Sequence, residues 1–130
     1  MKITFEVSIE ELGRLLGVEA KNHSDDSLIR PSEYARFFDE NCQLWRNNTK
    51  QNEYTLKLIQ MNANSKLQAV GYLFLNDVYD MLGISRSKIG QLVGWVYEDE
   101  KSHVNFSLHE GPKNMTMVDF NVDGLIIDKI

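Results

Sequence analysis

Residues 67–99, LQAVGYLFLNDVYDMLGISRSKIGQLVGWVYED, form the longest apolar-rich run of the chain, and their reading decides the fold. Leu67, Val70, Gly71, Phe74, Leu75, Val78, Met81 and Leu82 recur at three- and four-residue spacing, which places them on one side of a helix with a broad stripe to bury. Gly83 ends that helix. A short amphipathic turn follows, and Trp95, Val96 and Tyr97 switch the pattern to strand chemistry. One continuous segment is thus expected to supply a core helix, a tight turn and a sheet strand.

Working back towards the N-terminus, Thr49 reads as the N-cap of a helix through Tyr54, Leu58 and Met61, which is expected to continue into the core helix as one long element, with a break near Asn62-Ala63-Asn64-Ser65 as the alternative. Gly71 then lies mid-helix at a cost of up to about 1 kcal/mol, explained if another element packs closely against it. Before it, Pro31 and Ser32 open another helix, with Tyr34, Phe37, Phe38, Cys42 and Trp45 on one face and Asn47-Asn48 at its end. Such an aromatic stripe reads as core, with an exposed partner groove as the alternative. Ile3, Phe5 and Val7 alternate as in a half-buried strand. Ser8 and Glu11 stand in capping-box register before Ile9, Leu12, Leu15, Leu16 and Gly17. Residues 18–32 have no periodicity and read as a polar loop.

Beyond Tyr97, residues 98–102 read as a hairpin loop leading into alternating Val104, Phe106 and Leu108. Gly111-Pro112 turns the chain, Met115 to Phe120 suggests a strand, and Leu125, Ile126 and Ile127 a last apolar segment. The fold class expected is α+β in one domain, residues 1–130. It comprises an N-terminal strand and helix, two further helices of which the second is long, and a small C-terminal antiparallel sheet. The expected core is Phe37, Phe38, Trp45, Leu67, Val70, Phe74, Val78, Leu82, Leu92, Trp95 and Phe106.

With 19 acidic residues against 14 Lys and Arg, the net charge of −5 favours solubility and argues against nonspecific nucleic-acid binding. Cys42 is the only cysteine, which excludes an intrachain disulfide and fits a buried thiol in a reducing compartment. No apolar run has the length of a bilayer span, and the first residues alternate instead of opening a signal peptide, so no membrane attachment is expected.

Residues 75–92 resemble a helix-turn-helix, with Val78, Leu82, Gly83, Ile84, Ile89 and Leu92 at its apolar and turn positions. In that reading Arg86, Ser87 and Gln91 face a major groove, although Tyr79 stands where the motif needs a small side chain. Residues 119–124 match the first half of a calcium loop, but its twelfth position falls on Ile130 instead of a glutamate. His103 and His109 have no third ligand at metal spacing, and no nucleophile or phosphate-loop motif is present. No cofactor, metal or catalytic residue is assigned, and the residues name no substrate and no reaction.

The pieces YARFFDE at residues 34–40, LFLNDVYDMLG at 73–83, GWVY at 94–97 and DFNVDG at 119–124 resemble a family of uncharacterised proteins of tailed bacteriophages and prophages of gut bacteria. Members often carry an apolar N-terminal segment and a further Val-Asp-Phe-Gly stretch after the Trp-Val-Tyr strand, and this chain has neither. The resemblance implies phage origin. With no catalytic constellation, it leads to the expectation of a non-enzymatic viral protein that binds another protein. That protein would be a host defence enzyme that it inhibits, or a virion or assembly component. The expected location is the host cytoplasm or the virion. Asp25, Asp26, Glu98, Asp99 and Glu100 are the candidate partner-binding residues, as acidic tips that steer a basic surface. A DNA-binding regulator using residues 75–92 is the alternative.

Overall fold

The computed structural model describes residues 31–130. The strand expected at 2–7, the capped helix at 8–17 and the loop with Asp25 and Asp26 lie outside them. Among the described residues the elements run β1 (Arg36–Phe38), α1 (Thr49–Val70), β2 (Tyr72–Phe74), α2 (Leu75–Leu82), β3 (Val93–Val96), β4 (Phe106–Glu110), β5 (Thr116–Phe120) and β6 (Gly124–Leu125). The strands form two antiparallel three-stranded sheets, ordered β1-β5-β4 and β2-β3-β6. The fold is therefore mixed α+β, and of the two helices among the described residues the first is the longer, with 22 residues against 8, contrary to the long second helix expected.

The helix expected to run unbroken through residues 67–82 is divided. α1 begins at the expected place, capped by Asn48, whose side chain accepts the Gln51 N–H, with Thr49 as its first helical residue. It ends at Gly71, which takes a left-handed φ of 100° and donates its N–H to the Leu67 carbonyl at 2.8 Å. That conformation is easy for glycine and costly for residues with a Cβ, so Gly71 is a helix terminator. Nothing lies within 4 Å of where its Cβ would be, so close packing does not account for it. The three residues of β2 then pair with β3, Leu73 opposite Trp95, before α2 starts. Gly83 ends α2 as expected.

The helix expected from Pro31 to Asn48 is replaced by β1 and a series of turns. Phe38 pairs with Thr116 in the sheet, and Asp39 then fixes a turn by accepting the N–H groups of Asn41 and Cys42. Backbone pairing to β5 and this side-chain turn outcompete the helical spacing of the aromatics. Residues 98–102 form a turn, but they connect β3 to β4 in different sheets and so do not close a hairpin.

The core forms where α1, α2 and the two sheets meet. Tyr79 is fully buried, stacks edge-on against Phe120 at 5.6 Å between ring centroids, and donates its hydroxyl to the Tyr34 carbonyl at 2.6 Å. Phe120 meets Phe106 in the same way, and Trp95, Phe38, Leu56, Leu67 and Leu82 complete the cluster. Of the expected core, Phe38, Leu67, Val78, Leu82, Trp95 and Phe106 are buried, while Phe37, Trp45 and Phe74 are half-buried. Val70 and Leu92 are exposed, because the helix turns away at Gly71 and because Leu92 only caps a short 3-10 turn over Ile89–Gln91.

Asparagine side chains tie the loops to this core. Asn52, fully buried, accepts the Arg46 N–H and donates to the carbonyls of Arg46 and Asn114. Asn76 and Asn64 bond both the N–H and the carbonyl of Ser87 and Val104, respectively. Each amide reproduces the donor and acceptor pair of a neighbouring strand, which satisfies loop backbone that would otherwise be buried without partners.

Candidate functional site

Helical periodicity gives α1 two opposite faces. Asn52, Leu56, Ile59, Ala63 and Leu67 are buried against the sheets and α2. Tyr54, Leu58 and Met61, spaced four and three residues apart, form a second stripe on the far side. They are 65%, 42% and 63% exposed, with Leu44 also exposed near the start of the helix and lining a surface groove with Tyr54. Isolated exposed apolar residues are ordinary, whereas three large ones in register on one helix face form a patch of the kind that marks an interaction surface.

The acidic loop lies elsewhere, lining a surface groove with Val96, Asp123 and Lys129. Glu98, Asp99 and Glu100 are exposed, and the loop holds its shape because Ser102 Oγ accepts the N–H groups of Glu98 and Asp99 while Asp99 accepts that of Lys101. It continues to Val104, which Asn64 fixes to α1 one turn beyond Met61. Asp25 and Asp26 lie outside the described residues.

The residues expected to read DNA are dispersed. Residues 84–88 are irregular, and the three-residue 3-10 turn after them is too short to be a recognition helix. Arg86 is engaged by Asp80, at 2.6 Å from Nη2 to Oδ2, and its guanidinium hydrogen bonds hold the Asp80 carboxyl below the usual carboxylate range. Ser87 is bound at its backbone by Asn76 and accepts the Gly90 N–H, while Gln91 is exposed on the 3-10 turn. Tyr79, the oversized residue of the motif, is the centre of the core.

The calcium-like segment is also taken up structurally. Asp119 accepts both the N–H and the hydroxyl of Ser32, Asn121 accepts from Trp95 Nε1 and the Asn105 N–H, and Asp123 accepts the Val96 N–H. These side chains diverge to three anchors instead of converging on one point. Among the described residues no group of three His, Cys, Asp or Glu side chains is placed to hold a metal ion. Cys42 is buried and its Sγ faces the Phe37 carbonyl at 3.8 Å, and burial pushes its thiol up, away from the nucleophilic thiolate.

The exposed stripe on α1 escaped the sequence reading, which placed Tyr54, Leu58 and Met61 in the helix without separating its two faces. The signal was present: Leu56, Ile59, Ala63 and Leu67 form one series at helical spacing and Tyr54, Leu58 and Met61 a second, nearly opposite. Among the described residues only the first series is buried.

No helix of the described residues is long and apolar enough to cross a membrane. A family model described as a family of unknown function (DUF6353) matches residues 6–130. Neither the curated proteins nor the solved structures contain a match to the chain.

Proposed function

We propose, from the premise that this chain belongs to the DUF6353 family of unknown function, that it works by binding another protein and not by catalysis. The observation that carries this reading is the exposed stripe of Tyr54, Leu58 and Met61 on the side of α1 opposite the one that it buries among the described residues. An aromatic and two flexible apolar side chains on a rigid helix can bury substantial area in a partner, and a few such anchors supply most of the affinity of typical interfaces. Glu98, Asp99 and Glu100 would add attraction for a basic partner surface, raising the rate of encounter more than the final affinity. The sequence resemblance to proteins of tailed phages and prophages supports a viral setting. There the partner is a host defence protein held inactive or a component of the virion or its assembly.

The test is affinity capture from phage-infected cells, comparing the native chain with a Leu58→Asp variant and with a variant in which Glu98, Asp99 and Glu100 are all replaced by the corresponding amides. One stoichiometric partner is expected with the native chain and none with Leu58→Asp. The triple variant is expected to bind the same partner with slower association at low salt. Undiminished capture by Leu58→Asp would refute the assignment of the face, and unchanged association of the triple variant would refute the steering role.

A further inference from the structure

β4 is an outer strand of its sheet, and α1 runs beside its free edge. Gln60 Oε1 accepts the Phe106 N–H at 2.8 Å, and Asn64 bonds both backbone groups of Val104, so helix side chains replace a neighbouring strand along the first half of that edge. Hydrogen-bonding direction alternates along an antiparallel strand. Because Phe106 directs its N–H at the helix, Leu108 and Glu110 direct theirs the same way, while Ser107 and His109 face Asp119 and Met117 of β5. Among the described residues nothing bonds Leu108 or Glu110 on that outer side. A groove of about 450 Å³ opens there instead, between the first turns of α1 and the strand.

The groove and its charge define what fits. Glu53 and Glu110 line it together with Thr49, Leu108, His109 and Thr116, and no Lys or Arg is among its lining residues. An exposed sheet edge with free N–H and carbonyl groups is a template for an added strand. α1 approaches β4 closely enough for Gln60 to bond it, so the space beside this edge suits a single extended chain better than a whole folded sheet. We propose that the free half of the β4 edge, at Leu108 and Glu110, accepts a short extended peptide segment carrying Lys or Arg, added as a strand between β4 and α1. This site is separate from the outer face of α1, since Glu53 points along a different side of the helix from Tyr54, Leu58 and Met61.

Amide NMR on the full chain tests it, with the blocked pentapeptide Lys-Val-Lys-Val-Lys and its glutamate counterpart Glu-Val-Glu-Val-Glu as probes. The basic peptide is expected to shift the Leu108 and Glu110 amides and slow their hydrogen exchange. Glu53→Lys, an exposed change, is expected to weaken it at least about tenfold and to admit the acidic peptide. A Tyr54→Ser variant is expected to bind the basic peptide as the native chain does, which separates this site from the outer face. Equal binding of both peptides, shifts confined to residues 98–100, or no change at Leu108 and Glu110 at millimolar peptide would overturn the proposal. Self-association of the free protein through these two amides would overturn it as well, by giving the edge to a second copy.

Discussion

The two helices divide the work of the molecule unequally. α2 buries five of its eight residues, Leu75, Asn76, Val78, Tyr79 and Leu82, whereas α1 buries five of 22. The short helix is surrounded by core on most sides and has little surface left to offer. The long one is docked along one face and keeps another for solvent or a partner. Apolar residues at helical spacing thus have two fates in one chain, burial on most sides of α2 and exposure on the outside of α1.

The sharpest way to break this contrast is to attack α2 at its centre. Tyr79→Ala is expected to destabilise the domain by about 3–5 kcal/mol in denaturant unfolding, as the loss of a fully buried aromatic does. Tyr79→Phe keeps the ring and removes only the hydroxyl bonded to the Tyr34 carbonyl, for a loss of about 1–2 kcal/mol. A loss below about 1 kcal/mol for the alanine variant would move the centre of the core elsewhere. Tyr79 also gives a pH signature. Burial, only partly opposed by the Arg36 charge, raises its pKa in the fold above the value of about 10 that it has in the unfolded chain. Stability is thus complete below about pH 10 and declines as pH rises towards the folded value, because the unfolded chain releases this proton first. In an alkaline absorbance titration the ionisation of Tyr79 should be delayed above the ordinary tyrosine range, and its signal should appear together with unfolding.

Much of the fold was legible in the residues, although this division was not, and the failures have physical causes. The start of α1, the stop at Gly83, and the strands around Trp95, Phe106 and Phe120 follow from capping, turn and alternation patterns. The break at Gly71 was hidden because β2 is three residues long, too short to display alternation, and Leu67, Val70, Phe74 and Val78 keep helical spacing across it. Phe74 was consequently expected in the centre of a helix and is half-buried at a strand end, so Phe74→Ala should cost less than Tyr79→Ala. Between residues 31 and 48 the aromatic spacing mimicked a helix, yet long-range pairing of β1 with β5 decided the outcome, and periodicity does not register contacts so distant in sequence. Of the candidate sites, the acidic loop was visible as a charge run. The exposed face of α1 became evident only once the buried face was known.

Intermediate effects belong to the side chains that join α1 to the sheet. Asn64→Ala leaves both backbone groups of Val104 without partners and is expected to cost about 1–3 kcal/mol, with faster hydrogen exchange at Val104 and little change at Tyr79. Uniformly faster exchange throughout would mean that the clamp supports the whole core and not one loop. A smaller effect is expected at the exposed Asp80–Arg86 pair. Arg86→Ala should return the Asp80 titration upwards to the ordinary carboxylate range, as followed by side-chain NMR, with the fold unaltered.

The central claim, that the outer face of α1 serves recognition and not cohesion, is tested by measuring stability and partner binding on one variant, Leu58→Asp. The expected result is an unfolding free energy within about 0.5 kcal/mol of the native chain, as for surface substitutions, together with loss of the partner that the native chain captures from infected cells. A destabilisation of about 2 kcal/mol or more would show that this face is packed within the domain, and unchanged capture at native stability would show that the partner sits elsewhere; either result contradicts the account.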